Sequence, residues 1–212
     1  VYNLFAVPAQ GGEPRPLTTG LVRDYAPTFT PDGSEIVFST TRGLETSGAT
    51  LMLIPAGGGE PTDLDLPRGR DVGFVEPAFS PDGSLICCSY IRNYRENWTL
   101  RLLRTDDPAQ HFTLTDGADA LYAPVWSPDG NVIAFTGYSV GDRGWSLYVV
   151  EAATGLAHRL DVGPGNCRSP VWSPEGDRLI FESNRDGSYQ LYSVEVPQFE
   201  FGTVPPFPDE AT

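Results

Sequence analysis

One eight-residue unit recurs four times in this chain, and its spacing does more than any single residue to limit what the chain can fold into. The copies run Ala26-Pro27-Thr28-Phe29-Thr30-Pro31-Asp32-Gly33, Glu76-Pro77-Ala78-Phe79-Ser80-Pro81-Asp82-Gly83, Ala123-Pro124-Val125-Trp126-Ser127-Pro128-Asp129-Gly130 and Ser169-Pro170-Val171-Trp172-Ser173-Pro174-Glu175-Gly176. Pro31, Pro81, Pro128 and Pro174 stand 50, 47 and 46 residues apart. A period in that range marks a propeller or another repeat array, in which each unit buries its apolar face against its neighbours.

The Ser/Thr-Pro-Asp/Glu-Gly run is turn chemistry: Pro presets φ and Gly takes a left-handed conformation that closes a hairpin between antiparallel strands. The strand after it is almost continuously apolar, as in Ile36-Val37-Phe38, Ile133-Ala134-Phe135 and Leu179-Ile180-Phe181. A sheet with one wet face would alternate, so both faces of this strand must be covered. A third strand follows in every copy (Leu51 to Ile54, Leu100 to Leu103, Leu147 to Val150, Leu191 to Val194), and a shorter, more polar fourth suits an outer edge (His111 to Leu114, His158 to Leu160). Four-stranded units that are apolar on both faces inside and polar outside are the blades of a β-propeller.

The Pro-x-Trp/Phe-Ser-Pro-Asp-Gly signature, with Ser183-Asn184-Arg185-Asp186-Gly187 leading into Leu191-Tyr192, resembles the repeats of TolB-like propellers. Similar repeats occur in the propeller domains of prolyl oligopeptidase family peptidases. The resemblance implies an all-β propeller: a half blade over residues 1–18, blades over about 25–66, 75–115, 122–161 and 168–196, and a Pro-rich tail or last outer strand plus linker over 197–212. TolB-like propellers commonly have six blades, so a fragment of a longer protein is expected. The same resemblance implies a periplasmic or extracellular setting.

Composition removes several functions. A formal charge of −14 repels a phosphate backbone, and no basic stripe interleaved with aromatics is present, so nucleic acid is not an expected partner. No apolar run is long enough for membrane insertion as a helix. There is no Gly-x-Ser-x-Gly elbow, and a phosphate loop with Lys is excluded in a chain whose basic residues are all Arg. His111 and His158, 47 residues apart, are read as register equivalents rather than partners in catalysis. Asp32, Asp82, Asp129 and Glu175 are turn carboxylates that bond local amides, so no catalytic residue, metal site or cofactor is expected. Cys87 and Cys88 point to opposite faces of a strand as small core fillers, whereas Cys167 falls in a loop.

Function is expected where the copies differ. Residues just before the innermost strand should reach the mouth of a central channel, which singles out Tyr25, Glu76, Tyr122 and Arg168; they either pack the channel or contact a partner. Loops between second and third strands carry Arg42, Arg92, Arg143 and Arg185, suited equally to interblade hydrogen bonds and to ligand contact. Arg101 stands where other copies have Phe, Met or Tyr, and its head should reach water or an acid. The expectation is a noncatalytic scaffold binding a protein or peptide through its variable-loop face. The alternatives are a substrate-gating propeller of a prolyl oligopeptidase-type serine hydrolase whose catalytic domain lies outside this chain, and a sugar- or small-molecule-processing propeller.

Overall fold

In a computed structural model of the protein, which describes residues 1–44, 48–92, 98–118, 120–139 and 144–197, every element is a β-strand. A two-stranded opening unit, β1 (Phe5–Ala6) and β2 (Arg15–Pro16), precedes four blades. The first blade holds β3 (Asp24–Phe29), β4 (Glu35–Thr40), β5 (Gly48–Pro55) and β6 (Thr62–Asp63). The second holds β7 (Val72–Phe79), β8 (Leu85–Ile91), β9 (Trp98–Arg104) and β10 (His111–Ala118). The third holds β11 (Ala120–Trp126), β12 (Val132–Ser139), β13 (Gly144–Glu151) and β14 (Ala157–Arg159), and the fourth β15 (Cys167–Trp172), β16 (Arg178–Ser183) and β17 (Gln190–Glu195). Within each blade consecutive strands pair antiparallel. The proposed last outer strand at 199–204 lies outside the described residues.

The apolar second strands explain the stacking. Side chains alternate across a strand, so β8 sends Ile86 and Cys88, together with Phe74 of its own blade, into the cluster shared with Val37 and Leu51 of the first blade, and Cys87 into the one shared with Leu121, Ile133 and Phe135 of the third. In β12, Ile133 and Phe135 face the second blade while Ala134 faces the fourth, with Leu179 and Phe181. Ile36 and Phe38 face the opening unit with Leu4 and Leu17. Burial pushes both Cys87 and Cys88 thiols well above their usual range, as expected of inert core residues.

The turns stack as well. Gly33, Gly83, Gly130 and Gly176 all have φ between 71° and 75°. A Cβ on Gly176 would lie 3.3 Å from the ring of Pro128, so the Pro of one blade's turn rests against the Gly of the next. Asp32 accepts from the Thr30 hydroxyl at 2.6 Å and the Ser34 amide at 3.0 Å, and Asp82 and Asp129 repeat the arrangement. In the fourth copy Ser173 donates to Asp177 at 2.8 Å instead, so Glu175 is not the turn acceptor expected from its position. The extra methylene of Glu removes the short Asp geometry that closes the other three turns.

Other expectations are corrected by register. The fourth strand is short in β6 and β14, but β10 runs eight residues with two register shifts. His111 pairs with Leu103 whereas His158 pairs with Val149, the equivalent of Leu102, so the histidines are one residue out of register and belong to opposite faces. Cys167 is not in a loop: it opens β15 and is buried.

The first and second blades are also joined edge to edge, because β5 pairs parallel with β7 through Gly48↔Val72 and Ala49↔Gly73. Gly48 has φ 148°, and a Cβ there would come within 2.4 Å of the Val72 carbonyl oxygen. Only glycine permits this approach. Gly48→Ala is expected to lower stability by roughly 1–3 kcal/mol in urea unfolding, whereas Gly33→Ala meets open space and loses only the φ preference.

The Thr30 hydroxyl, and then the Ser34 amide and hydroxyl, hold the Asp32 carboxyl down to about 2. Because folding lowers this pKa, the turn's contribution is complete above the ordinary value of 3.8 and is lost as pH falls through about 2. Carbon-detected NMR should place the Asp32 midpoint near 2, and Thr30→Ala should move it upward toward 3.8.

Candidate functional site

The face under consideration is where the N-terminal ends of the innermost strands meet the C-terminal ends of the second strands. Tyr25, Val75, Tyr122 and Arg168 share one register there, opposite Ser39, Ser89, Thr136 and Glu182. They lie inside β3, β7, β11 and β15 rather than before them, because each strand continues past a bulge. The bulge residue itself is Ala26, Glu76, Ala123 or Ser169, all with φ between 49° and 55° and all preceding Pro. A left-handed residue with a Cβ costs on the order of 1–2 kcal/mol, and four equivalent positions accept that cost.

What holds the bulges is a set of interblade hydrogen bonds. The Glu76 amide donates to Ser39 Oγ at 2.9 Å, and the Ser169 amide donates to Thr136 Oγ1 at 3.1 Å. Between the second and third blades the pattern changes. The Ala123 amide donates to Glu76 Oε2 at 2.5 Å, and Ser89, in the register of Ser39 and Thr136, keeps a buried hydroxyl with no hydrogen-bond partner among the described residues. Burial raises the Glu76 carboxyl above its ordinary 4.5, against the lowering effect of the Ala123 amide. Burial, and then the neighbouring Glu76 charge, push the Tyr122 phenol up. Deeper in the junctions, Trp126 Nε1 donates to the Ala78 carbonyl at 3.0 Å and Trp172 Nε1 to the Val125 carbonyl at 3.1 Å.

An aromatic set that the sequence reading missed surrounds these residues. Two positions before the leucine that opposes Ser89, Thr136 or Glu182 stand Trp98, Trp145 and Tyr189 at the heads of the third strands. The Tyr122 ring lies 4.9 Å from Trp98 and 5.4 Å from Trp145, which in turn lies 5.1 Å from Tyr138. The Arg168 guanidinium sits 3.9 Å over the Tyr189 ring, and its Nε donates to Glu182 Oε2 at 2.7 Å. Trp98 also lines a cavity of about 470 Å³ together with Tyr2, Arg23, Tyr25, Asp71 and Val75. Tyr25 and Tyr122 thus belong to one surface, joined through Trp98. The signal was available: an aromatic recurs at the head of the third strand in three copies.

The arginines divide. Arg42 Nη2 and Nε bind the buried Asp24 carboxylate at 2.5 and 3.1 Å, Thr40 adds a hydroxyl at 2.6 Å, and Nη2 reaches the Thr19 carbonyl at 2.7 Å. In the fourth blade Cys167 takes the place of Asp24, and Arg185 bonds Ser183 Oγ at 3.1 Å and lies 4.2 Å over the Tyr192 ring. Both arginines therefore fasten their own blade, and Arg42 also ties down the segment that enters it. Arg92 is exposed beyond β8, and Arg143 lies outside the described residues. Among the described residues no acid pairs with Arg101: its guanidinium lies 4.6 Å over the Tyr90 ring, and its buried Nε has no hydrogen-bond partner among them. Among the described residues no group of three or more His, Cys, Asp or Glu is placed to hold a metal ion.

A model of the TolB beta propeller domain matches residues 66–204. An uncharacterized protein of Agrobacterium fabrum is 28% identical over 176 residues, covering 81% of this chain and 54% of that protein, so the chain spans about half the length of this curated relative. The solved structure of a putative TolB from Agrobacterium tumefaciens superposes with a TM-score of 0.75 at 20% identity, covering 91% of this chain and 70% of the other. A puromycin-hydrolyzing peptidase from Mycobacterium tuberculosis gives a TM-score of 0.65 at 20% identity, covering 88% of this chain and 33% of that one.

Folding raises the Glu76 pKa, so the folded chain binds this proton more tightly than the unfolded one, and the group's contribution to stability falls as pH rises above 4.5. Glu76→Gln, which keeps an acceptor for the Ala123 amide, is expected to be more stable than the parent at pH 8. In unfolding series run from pH 8 to pH 5 the difference should shrink as the carboxyl takes up its proton.

Proposed function

The chain belongs to the TolB beta propeller domain family, and from that premise we propose that it is a noncatalytic scaffold that binds a protein or peptide through the face carrying Tyr25, Tyr122 and Arg168. The observation that carries this reading is the register of that face. Tyr25, Tyr122 and Arg168 repeat at one position of the innermost strands, and Trp98, Trp145 and Tyr189 repeat beside them at the heads of the third strands. Partly exposed Tyr, Trp and Arg on a rigid sheet are the residue types that dominate protein-binding energetics, because they offer large area at small conformational cost. A periplasmic or extracellular setting goes with this proposal.

Likeness to the peptidase fold supports a second reading, in which the propeller gates or positions substrate for a hydrolase domain encoded beside it. A serine-nucleophile elbow in the adjoining coding sequence would favour this reading over the first.

The test of the first reading is direct. Peptides selected from a random display library on the 212-residue chain should bind Tyr25→Ala, Tyr122→Ala and Arg168→Ala variants roughly tenfold more weakly each, with unfolding midpoints close to the parent's. Unchanged affinity in all three would overturn the assignment of this face.

A further inference from the structure

We propose that Glu76 recognises a cationic group, the ammonium or guanidinium of a bound peptide, at the inner edge between the second and third blades; this rests on the reading that the face binds a peptide. Glu76 is the one charged residue among the four bulge residues, the others being the small Ala26, Ala123 and Ser169. Its carboxylate takes the amide that Ser89 is placed to hold, and the Ser89 hydroxyl is left buried without a partner. A hydroxyl-to-amide link, as at the two neighbouring junctions, would satisfy the same backbone with no buried charge. Stability therefore does not account for Glu76.

Most other carboxylates that the structure buries or ties down have a cation or several donors; Glu151, buried with the Thr154 hydroxyl as its one donor among the described residues, is the exception, and it lies on β13, away from this edge. Asp24 is held by Arg42 and Thr40, Glu182 by Arg168, and Asp32 and Asp82 by turn hydroxyls and amides. Glu76 has one backbone amide, and among the described residues no basic side chain pairs with it. A mostly buried carboxylate with a single neutral donor gains most from an incoming positive charge, because attraction strengthens as water is excluded. Glu76 is near enough to Tyr122 for its charge to raise the phenol, and the Trp98 ring lies 4.9 Å from that of Tyr122, so aromatic rings of the kind that favour an ammonium or guanidinium stand close by. A metal ion fits less well, since no group of three acidic, His or Cys ligands gathers here among the described residues. The net charge of −14 steers basic peptides toward the chain and acidic ones away.

The experiment uses a random peptide display library on the 212-residue chain, its Glu76→Gln variant, and the Tyr25→Ala and Tyr122→Ala variants. Peptides retained by the parent should be enriched in Lys or Arg, should weaken as salt is raised, and should bind Glu76→Gln at least about tenfold more weakly. Replacing the critical Arg by citrulline, or Lys by norleucine, should cost the same factor on the parent and little further on Glu76→Gln. Because half of this cycle alters only the peptide, it remains informative even if Glu76→Gln disturbs the junction. Retained peptides that need Tyr25 and Tyr122 but lack a basic residue, or that bind Glu76→Gln as tightly as the parent, would overturn the role of Glu76 and leave the binding face standing. No retained peptide, or binding indifferent to Tyr25 and Tyr122, would overturn the binding face and this inference with it.

Discussion

The second strands of the first three blades are covered on both faces, and the rest of the architecture follows from that double burial; in the fourth, β16 buries Leu179 and Phe181 but leaves Ile180 exposed. Val37, Phe38, Cys87, Cys88, Ile133 and Ala134 are essentially inaccessible, and alternate residues feed different interblade clusters. A strand of this kind is unstable alone, because half its apolar area has no cover until another blade arrives. At roughly 25 cal/mol per Å² of apolar area, stacking is the dominant favourable contribution. The hairpin turns, the Pro-on-Gly contacts and the indole hydrogen bonds then set the spacing and angle at which the blades meet.

Against that apolar interior the inner edge is polar and strained. Every innermost strand bulges at a left-handed residue before Pro, and at Glu76, Ala123 and Ser169 the bulge turns the backbone amide toward the preceding blade. The candidate residues sit beside this irregularity because a bulge re-aims side chains that a regular strand would direct into the clusters. Tyr25, Tyr122 and Arg168 are thereby presented at one level on the first, third and fourth blades, with Val75 at that level on the second, and the aromatic heads of the third strands support Tyr122 and Arg168 from the side.

Much of the fold was legible because its determinants are local and repeated: the turn signature, the apolar second strand and the roughly 47-residue period. The opposite facing of Cys87 and Cys88 followed from strand geometry alone. Single-residue register was harder to read. His111 and His158 are 47 letters apart yet differ by one position in pairing, because the connection before β10 is one residue longer than that before β14. Cys167 reads as a loop residue because nothing local shows that β15 extends across its bulge. At the site, Trp98 and Trp145 stand at strand ends, where an aromatic is also an ordinary core or edge filler, so the letters alone do not mark a surface role. The exchange of Ser89 for Glu76 depends on three-dimensional reach, which no spacing rule encodes.

The parallel pairing of β5 with β7 has a mechanical consequence. Most neighbouring blades in this array adhere through side chains and a few hydrogen bonds, so thermal opening can begin at any such seam. Where Gly48 and Ala49 meet Val72 and Gly73, the backbone ladder crosses from one blade into the next and makes a single continuous sheet. That seam resists shear as a stitched hem does, and amide exchange in β4, β5, β7 and β8 should slow together as one cooperative block. Among the described residues the seams to the third and fourth blades carry no such strand pairing, and the stitched seam itself lies along one wall of the cavity that Tyr25 and Trp98 share.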